Sequence, residues 1–214
     1  MGALQRLATA PGALLIGGLI LWAMAWAIDF WVHYEVILLT PSSHQMGGDA
    51  LIRINFPMMG FPLIFVGLWQ LIGTEALGKR PVFLAFVGGL LMALDGLAHA
   101  FAFNDHMNHY SAPFFATLAP VQVGIGVSLP FMARRFDLYW LVASIGLIAA
   151  YVVSRTVSAP ALGFPEAVDG LGVFSKFLEV SFVVVTAANL RRVDTVARVA
   201  AIEPAERAQA PLTD

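Results

Sequence analysis

The chain has 214 residues, 59% of them hydrophobic and 12% charged, with a mean hydropathy of +0.78, a balance that excludes a soluble domain of this size. It contains no cysteine, so disulfides and thiolate metal sites are excluded, and any ligand must be His, Asp, Glu, Met or backbone. The formal net charge of -2 decides little, because in a membrane protein the placement of charge on the two sides matters more than its sum.

Uninterrupted apolar runs predict membrane-spanning helices at about 13–38, 54–73, 81–103, 112–132, 138–158 and 172–190, each near the roughly 20 residues a helix needs to cross a bilayer. The alternating pattern of an outer-membrane barrel is absent. The expected fold is therefore an all-α membrane protein of six transmembrane helices in residues 1–190, followed by a partly disordered cytoplasmic tail at 191–214.

The first run begins after Arg6, and Ala23-Met24-Ala25 could pass for a signal-peptide cleavage site. The run continues through Trp31, Ile37 and Leu39, too long for a signal core, which favours a retained helix. Near its end stands Asp29-Phe-Trp-Val-His33. Four residues is just over one helical turn, so the carboxylate and the imidazole share a face.

The second run carries Pro57 and Pro62, and the third repeats the word of the first as Asp95-Gly-Leu-Ala-His99. The fourth opens on Ala112-Pro113-Phe114-Phe115, much as the second opens on Phe56-Pro57-Met58-Met59, and has a second proline at Pro120. The pattern reads as tandem helical hairpins, spans 1–2 and 3–4, with spans 5–6 a diverged third copy bearing Tyr151 and Arg155 at the repeat positions. The four prolines should free backbone groups that neighbours or water must satisfy. Gly17, Gly18, Gly88, Gly89, Gly124 and Gly126 read as close-packing positions.

Charge placement orients the bundle. With six spans, Arg6, Lys79, Arg80, Arg134, Arg135, Arg191, Arg192, Arg198 and Arg207 share one side and only Arg53, Arg155 and Lys176 the other. The positive-inside rule then puts both termini in the cytoplasm of a bacterial cell, with the protein in its cytoplasmic membrane. After Leu190 the composition becomes polar; residues 191–202 read as a short surface helix.

Under that topology every histidine lies in the outer half or beyond: His33 and His99 near helix ends, His44 in the first outer loop, His106 and His109 in the second. Charges at this depth cost several kcal/mol and mark function by default. The expected site is a transition-metal centre with His99, His106 and His109 as leading ligands, Asp95 as ligand or orienting group, and Asp29 and His33 contributing from the facing repeat. Met46, Met58, Met59, Met92 and Met107 tilt the metal toward copper, before zinc or iron, because soft sulfur favours Cu(I).

Three other readings stand beside it. Asp29, Asp95 and Glu179 could neutralise Arg155 and Lys176 in an ion-pair network of a non-catalytic accessory subunit. His33 and His99 could be axial ligands of a b-type haem, with Arg53 or Arg155 near its propionates. A small-solute transporter would explain prolines and repeats, but Gln70, Gln122 and Thr117 are few polar groups for a through-path. No nucleophile, phosphate-loop or metalloprotease motif occurs. The expected partners are the lipid bilayer, a membrane or periplasmic protein or a second copy of the chain, and not nucleic acid.

From His99 through Arg192 the chain resembles a group of uncharacterised bacterial integral membrane proteins. The resemblance is carried by the His99–His109 loop, Pro113-Phe114-Phe115, Gln122, Ser154-Arg155-Thr156 before Pro160, Gly163 and Pro165, and a last helix bearing Glu179. It covers rather less than half of the chain. It implies the topology and singles out His99, His106, His109, Arg155 and Glu179, but implies no reaction, and Lys176 lies outside its pattern.

Overall fold

The computed structural model describes residues 9–39, 50–107, 111–157 and 168–209, with side chains for 9–35, 52–107, 111–157 and 168–191. Each predicted run is a helix, and no strand occurs among the described residues. The six are α1 (Ala10–Leu39), α2 (Ala50–Ile72), α3 (Arg80–Asp105), α4 (Ala112–Ser128), α5 (Arg135–Thr156) and α6 (Gly170–Gln209). All six are long and apolar enough to cross a membrane, the make-up of a multi-pass helical membrane protein.

Boundaries differ from the sequence expectation where local chemistry intervenes. Gly73, with φ of 85°, breaks the chain after α2, a left-handed conformation that glycine adopts without steric cost. A single turn, Thr74–Leu77, follows before Lys79 and Pro81 open α3. The fourth run tightens into a 3-10 turn at Leu129–Phe131 around Pro130. The last helix does not stop near Leu190; it continues to Gln209, through the segment expected to be a separate surface helix.

Helix α3 is the most buried of the six and packs against α1, α4 and α6, while α2 lies on α1 and α5 on α6. Helices α4 and α5 make only sparse contact. Leu15, Trp22, Ile64, Leu68, Phe86, Leu97 and Phe101 form the main core between α1, α2 and α3. Met92, Ile125, Leu129 and Phe182 form a second core between α3, α4 and α6.

Two pairs come together through glycine. A Cβ added at Gly18 would lie 2.6 Å from the Gly60 carbonyl oxygen, and one at Gly126 2.5 Å from the Ala93 nitrogen. In lipid, where van der Waals contact drives association, such approach is the basis of the interface. Gly124, by contrast, has nothing within 4 Å and Gly17 only Leu63 at 4.0 Å, so the expected packing role does not hold for these two.

The prolines also divide. Pro57, Pro62 and Pro120 are inside helices, but Pro113 falls in the first turn of α4, where a missing N–H leaves no hydrogen bond unmade. At the end of the bundle that holds Lys79, Arg80, Arg134 and Arg135, here the basic end, Arg134 donates to Asn189 at 2.5 Å and Asn189 to Asp137 at 3.2 Å, tying α5 to α6. The opposite, histidine end carries the candidate site.

Candidate functional site

The Asp/His words of α1 and α3 lie in two separate polar centres at the histidine end. In the first, Asp29 is fully buried and accepts from Arg53 through both oxygens, Nε to Oδ1 and Nη2 to Oδ2, each at 2.9 Å. The same guanidinium donates to Asp105 at 2.9 and 2.6 Å. One Arg53 fork thus clamps carboxylates from α1 and α3, the bidentate geometry for which guanidinium is suited. Asn104 adds a hydrogen bond to Asp29 Oδ2 at 2.8 Å and another to the Trp26 carbonyl at 3.1 Å. Phe101 lies under the guanidinium, 5.3 Å away.

His33 closes this centre. Its Nδ1 lies 2.8 Å from the Asp29 carbonyl oxygen and its Nε2 3.0 Å from Asp105 Oδ1. Nδ1 meets an acceptor, whereas Nε2 faces both the Asp105 carboxylate and, at 3.5 Å, an Arg53 N–H, so the protonation of the ring decides which of the two it engages.

The second centre sits where α3, α4 and α6 meet. Asp95 accepts from Ser175 Oγ and from Gln122 Nε2, each at 2.6 Å. Gln122 must therefore turn its oxygen to His99, whose Nδ1 lies 2.7 Å away and must donate. That assignment leaves His99 Nε2 as the open nitrogen, 3.9 Å from Glu179 Oε1. Asp95, His99 and Glu179, all buried, each offer a ligand atom within 4.8 Å of the others. Glu179 Oε1 also accepts from Lys176 Nζ, while its Oε2 is buried without a hydrogen-bond partner.

No protein-family model matches the chain, and neither a curated protein nor a solved structure is significantly similar to it. The functional reading therefore rests on geometry.

A cavity of 520 Å³ opens beside both centres, reached by Arg53 and Asp105 from the first and by His99, Ser175 and Lys176 from the second. His106 borders it, with Nδ1 2.7 Å from the Ala102 carbonyl oxygen. The rings of His99 and His106 both pack on Phe115, at 5.8 and 5.3 Å. Across the cavity, Arg155 reaches Asp169 at 3.4 Å and lies 4.6 Å from the Tyr151 ring.

Of the expected metal ligands, the structure brings Asp95 and His99 together and adds Glu179, which the sequence placed in an ion-pair network. Asp29 and His33 do not join them; both are held by Arg53 and Asp105. His106 is at the cavity wall rather than in the triad. His109 and His44 lie outside the described residues. Of the expected ion-pair network, Lys176 pairs with Glu179, whereas Arg155 faces Asp169 and Asp29 is matched by Arg53.

Sequence reasoning missed Arg53 as a clamp and Ser175 as a donor. Two signals were available. Arg53 is the one charged residue of α2, and Ser175 precedes Glu179 by one helical turn, on the same face.

Proposed function

We propose that this chain is a six-span protein of the bacterial cytoplasmic membrane, both termini cytoplasmic, whose Asp95–His99–Glu179 centre holds a transition metal beside an outward-opening cavity. The orientation rests on the basic end, where Lys79 and Arg134 stand in short connections and Arg80 and Arg135 open the helices that follow. In this topology α1–α2, α3–α4 and α5–α6 act as successive hairpins. The metal reading rests on one observation: His99 Nδ1 is committed to Gln122 while Nε2 faces Glu179 at 3.9 Å. A ring held by its second nitrogen is the usual preparation of a metal-binding histidine.

Asp95 acts in this reading through Gln122, as the orienting group, and can supply an oxygen as third ligand. The Lys176 ammonium on Glu179 marks where positive charge is favourable, and a divalent ion would take its place. The donors are nitrogen and oxygen. Met92 is packed against Ile125, Leu129 and Phe182, and Met58 and Met59 are 67% and 61% exposed on α2, so these three lend no thioether to the centre, and Met46 lies outside the described residues. Imidazole and carboxylate instead suit Cu(II), zinc and iron, with Cu(II) bound most tightly. The metal would supply Lewis acidity or redox chemistry at the cavity.

One observation favours a second reading. Lys176 and Arg53 already compensate Glu179 and Asp29, which suits a non-catalytic accessory subunit that uses the acids to fix helix packing. A haem between His33 and His99 would require the His33 ring to give up Asp105, because of the two rings only His99 has an open nitrogen.

Elemental analysis of the detergent-purified protein, with an absorption spectrum, separates these readings. Near-stoichiometric metal, lost in His99→Ala and Glu179→Gln but kept in His44→Ala and Lys176→Met, is the expected result. A colourless protein that takes up no copper, zinc or iron even as Lys176→Met overturns the metal reading and leaves the accessory subunit.

A further inference from the structure

The first polar centre has one acceptor too many unless His33 carries a second proton. Arg53 Nη2 bears two N–H groups, and three acceptors lie around it: Asp29 Oδ2 at 2.9 Å, Asp105 Oδ1 at 2.6 Å and His33 Nε2 at 3.5 Å. The neighbouring donors are engaged as well. Arg53 Nε donates to Asp29 Oδ1 and Nη1 to Asp105 Oδ2, while Asn104 donates to Asp29 Oδ2 and the Trp26 carbonyl.

The two states of the ring resolve this differently. Nδ1 lies 2.8 Å from the Asp29 carbonyl oxygen, so that nitrogen holds a hydrogen whether the ring is neutral or charged. A charged ring also donates from Nε2 to Asp105 Oδ1 at 3.0 Å, a charge-assisted bond from α1 to the last residue of α3. A neutral ring turns a lone pair toward the same carboxylate oxygen, which repels it. It can then only accept from Arg53 Nη2, whose hydrogens Asp29 and Asp105 already share.

Charge changes together with the hydrogen bonds. Among the described residues His33 is faced by Asp29 on its own helix, Arg53 on α2 and Asp105 on α3, the two helices against which α1 packs. With an imidazolium, two carboxylates meet two cations. Without it they meet one, and the centre keeps a net negative charge where Arg53 and Asp105 border the cavity. Histidine is the side chain whose ordinary range puts such a change between about pH 5 and about pH 8.

We propose that His33 is a proton-operated latch at the histidine end of the bundle. Charged, it ties α1 to the end of α3 through Asp105; neutral, it turns to Arg53, frees Asp105 from α1 and leaves the cavity edge one charge more negative. Neither state requires a metal at the second centre.

Two measurements on the full chain in detergent test the latch. In nitrogen NMR of histidine-labelled protein, the His33 ring, identified by the signals lost in His33→Gln, should have both nitrogens protonated at about pH 5 and only Nδ1 protonated at about pH 8. The second measurement is thermal. The bond to Asp105 is complete at acid pH and is lost as pH rises, so over that interval the wild type should lose about 4 °C more in melting temperature than His33→Gln or Asp105→Asn. A purely structural role would shift the melting temperature of both variants and leave the pH dependence of all three proteins alike, which overturns the proposal. A His33 ring that keeps one protonation state throughout, or a neutral ring protonated on Nε2, overturns it equally. If His33→Gln does not fold, Asp105→Asn carries the thermal comparison, and the ring signal it displaces most identifies His33.

Discussion

At the scale of single residues, Arg53 carries more of the described ion pairing than any other side chain. It meets Asp29 and Asp105 through two hydrogen bonds each, whereas His33 reaches each of them with a single ring nitrogen. Removing one partner of a buried pair leaves charges uncompensated, at about 3–5 kcal/mol. Arg53→Met should therefore lower the melting temperature sharply or abolish folded yield. Adding Asp29→Asn and Asp105→Asn to it should restore much of the loss, since the carboxylates are then neutral. Detergent melting curves of the single and triple variants check this; a triple no better than the single would show that Arg53 acts through packing on Phe101.

The same residues show how much of the site could be read in advance. The spacing of Asp95 and His99 places them on one face, and the structure keeps them there, 3.6 Å apart at their nearest polar atoms. Which helix would face them is a matter of tertiary packing that no local pattern encodes. Ser175 is 80 positions from Asp95 and Gln122 is 27 positions away. Arg53 was for that reason assignable to a haem propionate or to an acid with equal logic, and only the packing of α2 on α1 decides for the acid.

At the scale of elements, all six spans were legible because length and apolar content suffice to mark a transmembrane helix. Interfaces were less so, since a glycine in an apolar helix looks the same whether it meets a neighbour or faces lipid. Gly126 and Gly124 make the point: two residues apart, one touches Ala93 and the other nothing. Gly126→Val should force α3 and α4 apart and destabilise the protein by more than about 2 kcal/mol, whereas Gly124→Val should be nearly neutral. Thermal stability of the two variants in one detergent is the check. Similar losses in both would mean that α4 meets α3 through another face.

At the scale of the whole molecule, sidedness is open to a direct test, because a chain with no cysteine accepts single reporter thiols without background. Val168 at the histidine end is 67% exposed, and Ala133 lies exposed at the basic end. With cytoplasmic termini, Val168→Cys should react with a membrane-impermeant maleimide on intact cells, and Ala133→Cys only after lysis. The reverse pattern would turn the cavity inward and with it the proposed metal centre.

The two centres also differ in when they can be completed. Asp29 and Arg53 belong to consecutive helices, so the first hairpin leaves the insertion machinery with its charges already opposed. Asp95 and His99 enter the membrane on α3 and gain Gln122 from the next helix, but Ser175, Lys176 and Glu179 arrive only with α6. Until the final helix docks, the nascent chain holds a half-satisfied carboxylate in hydrocarbon. A chain truncated before Gly170 is therefore expected to be degraded faster than the full chain, a difference that pulse-chase labelling of the two would measure.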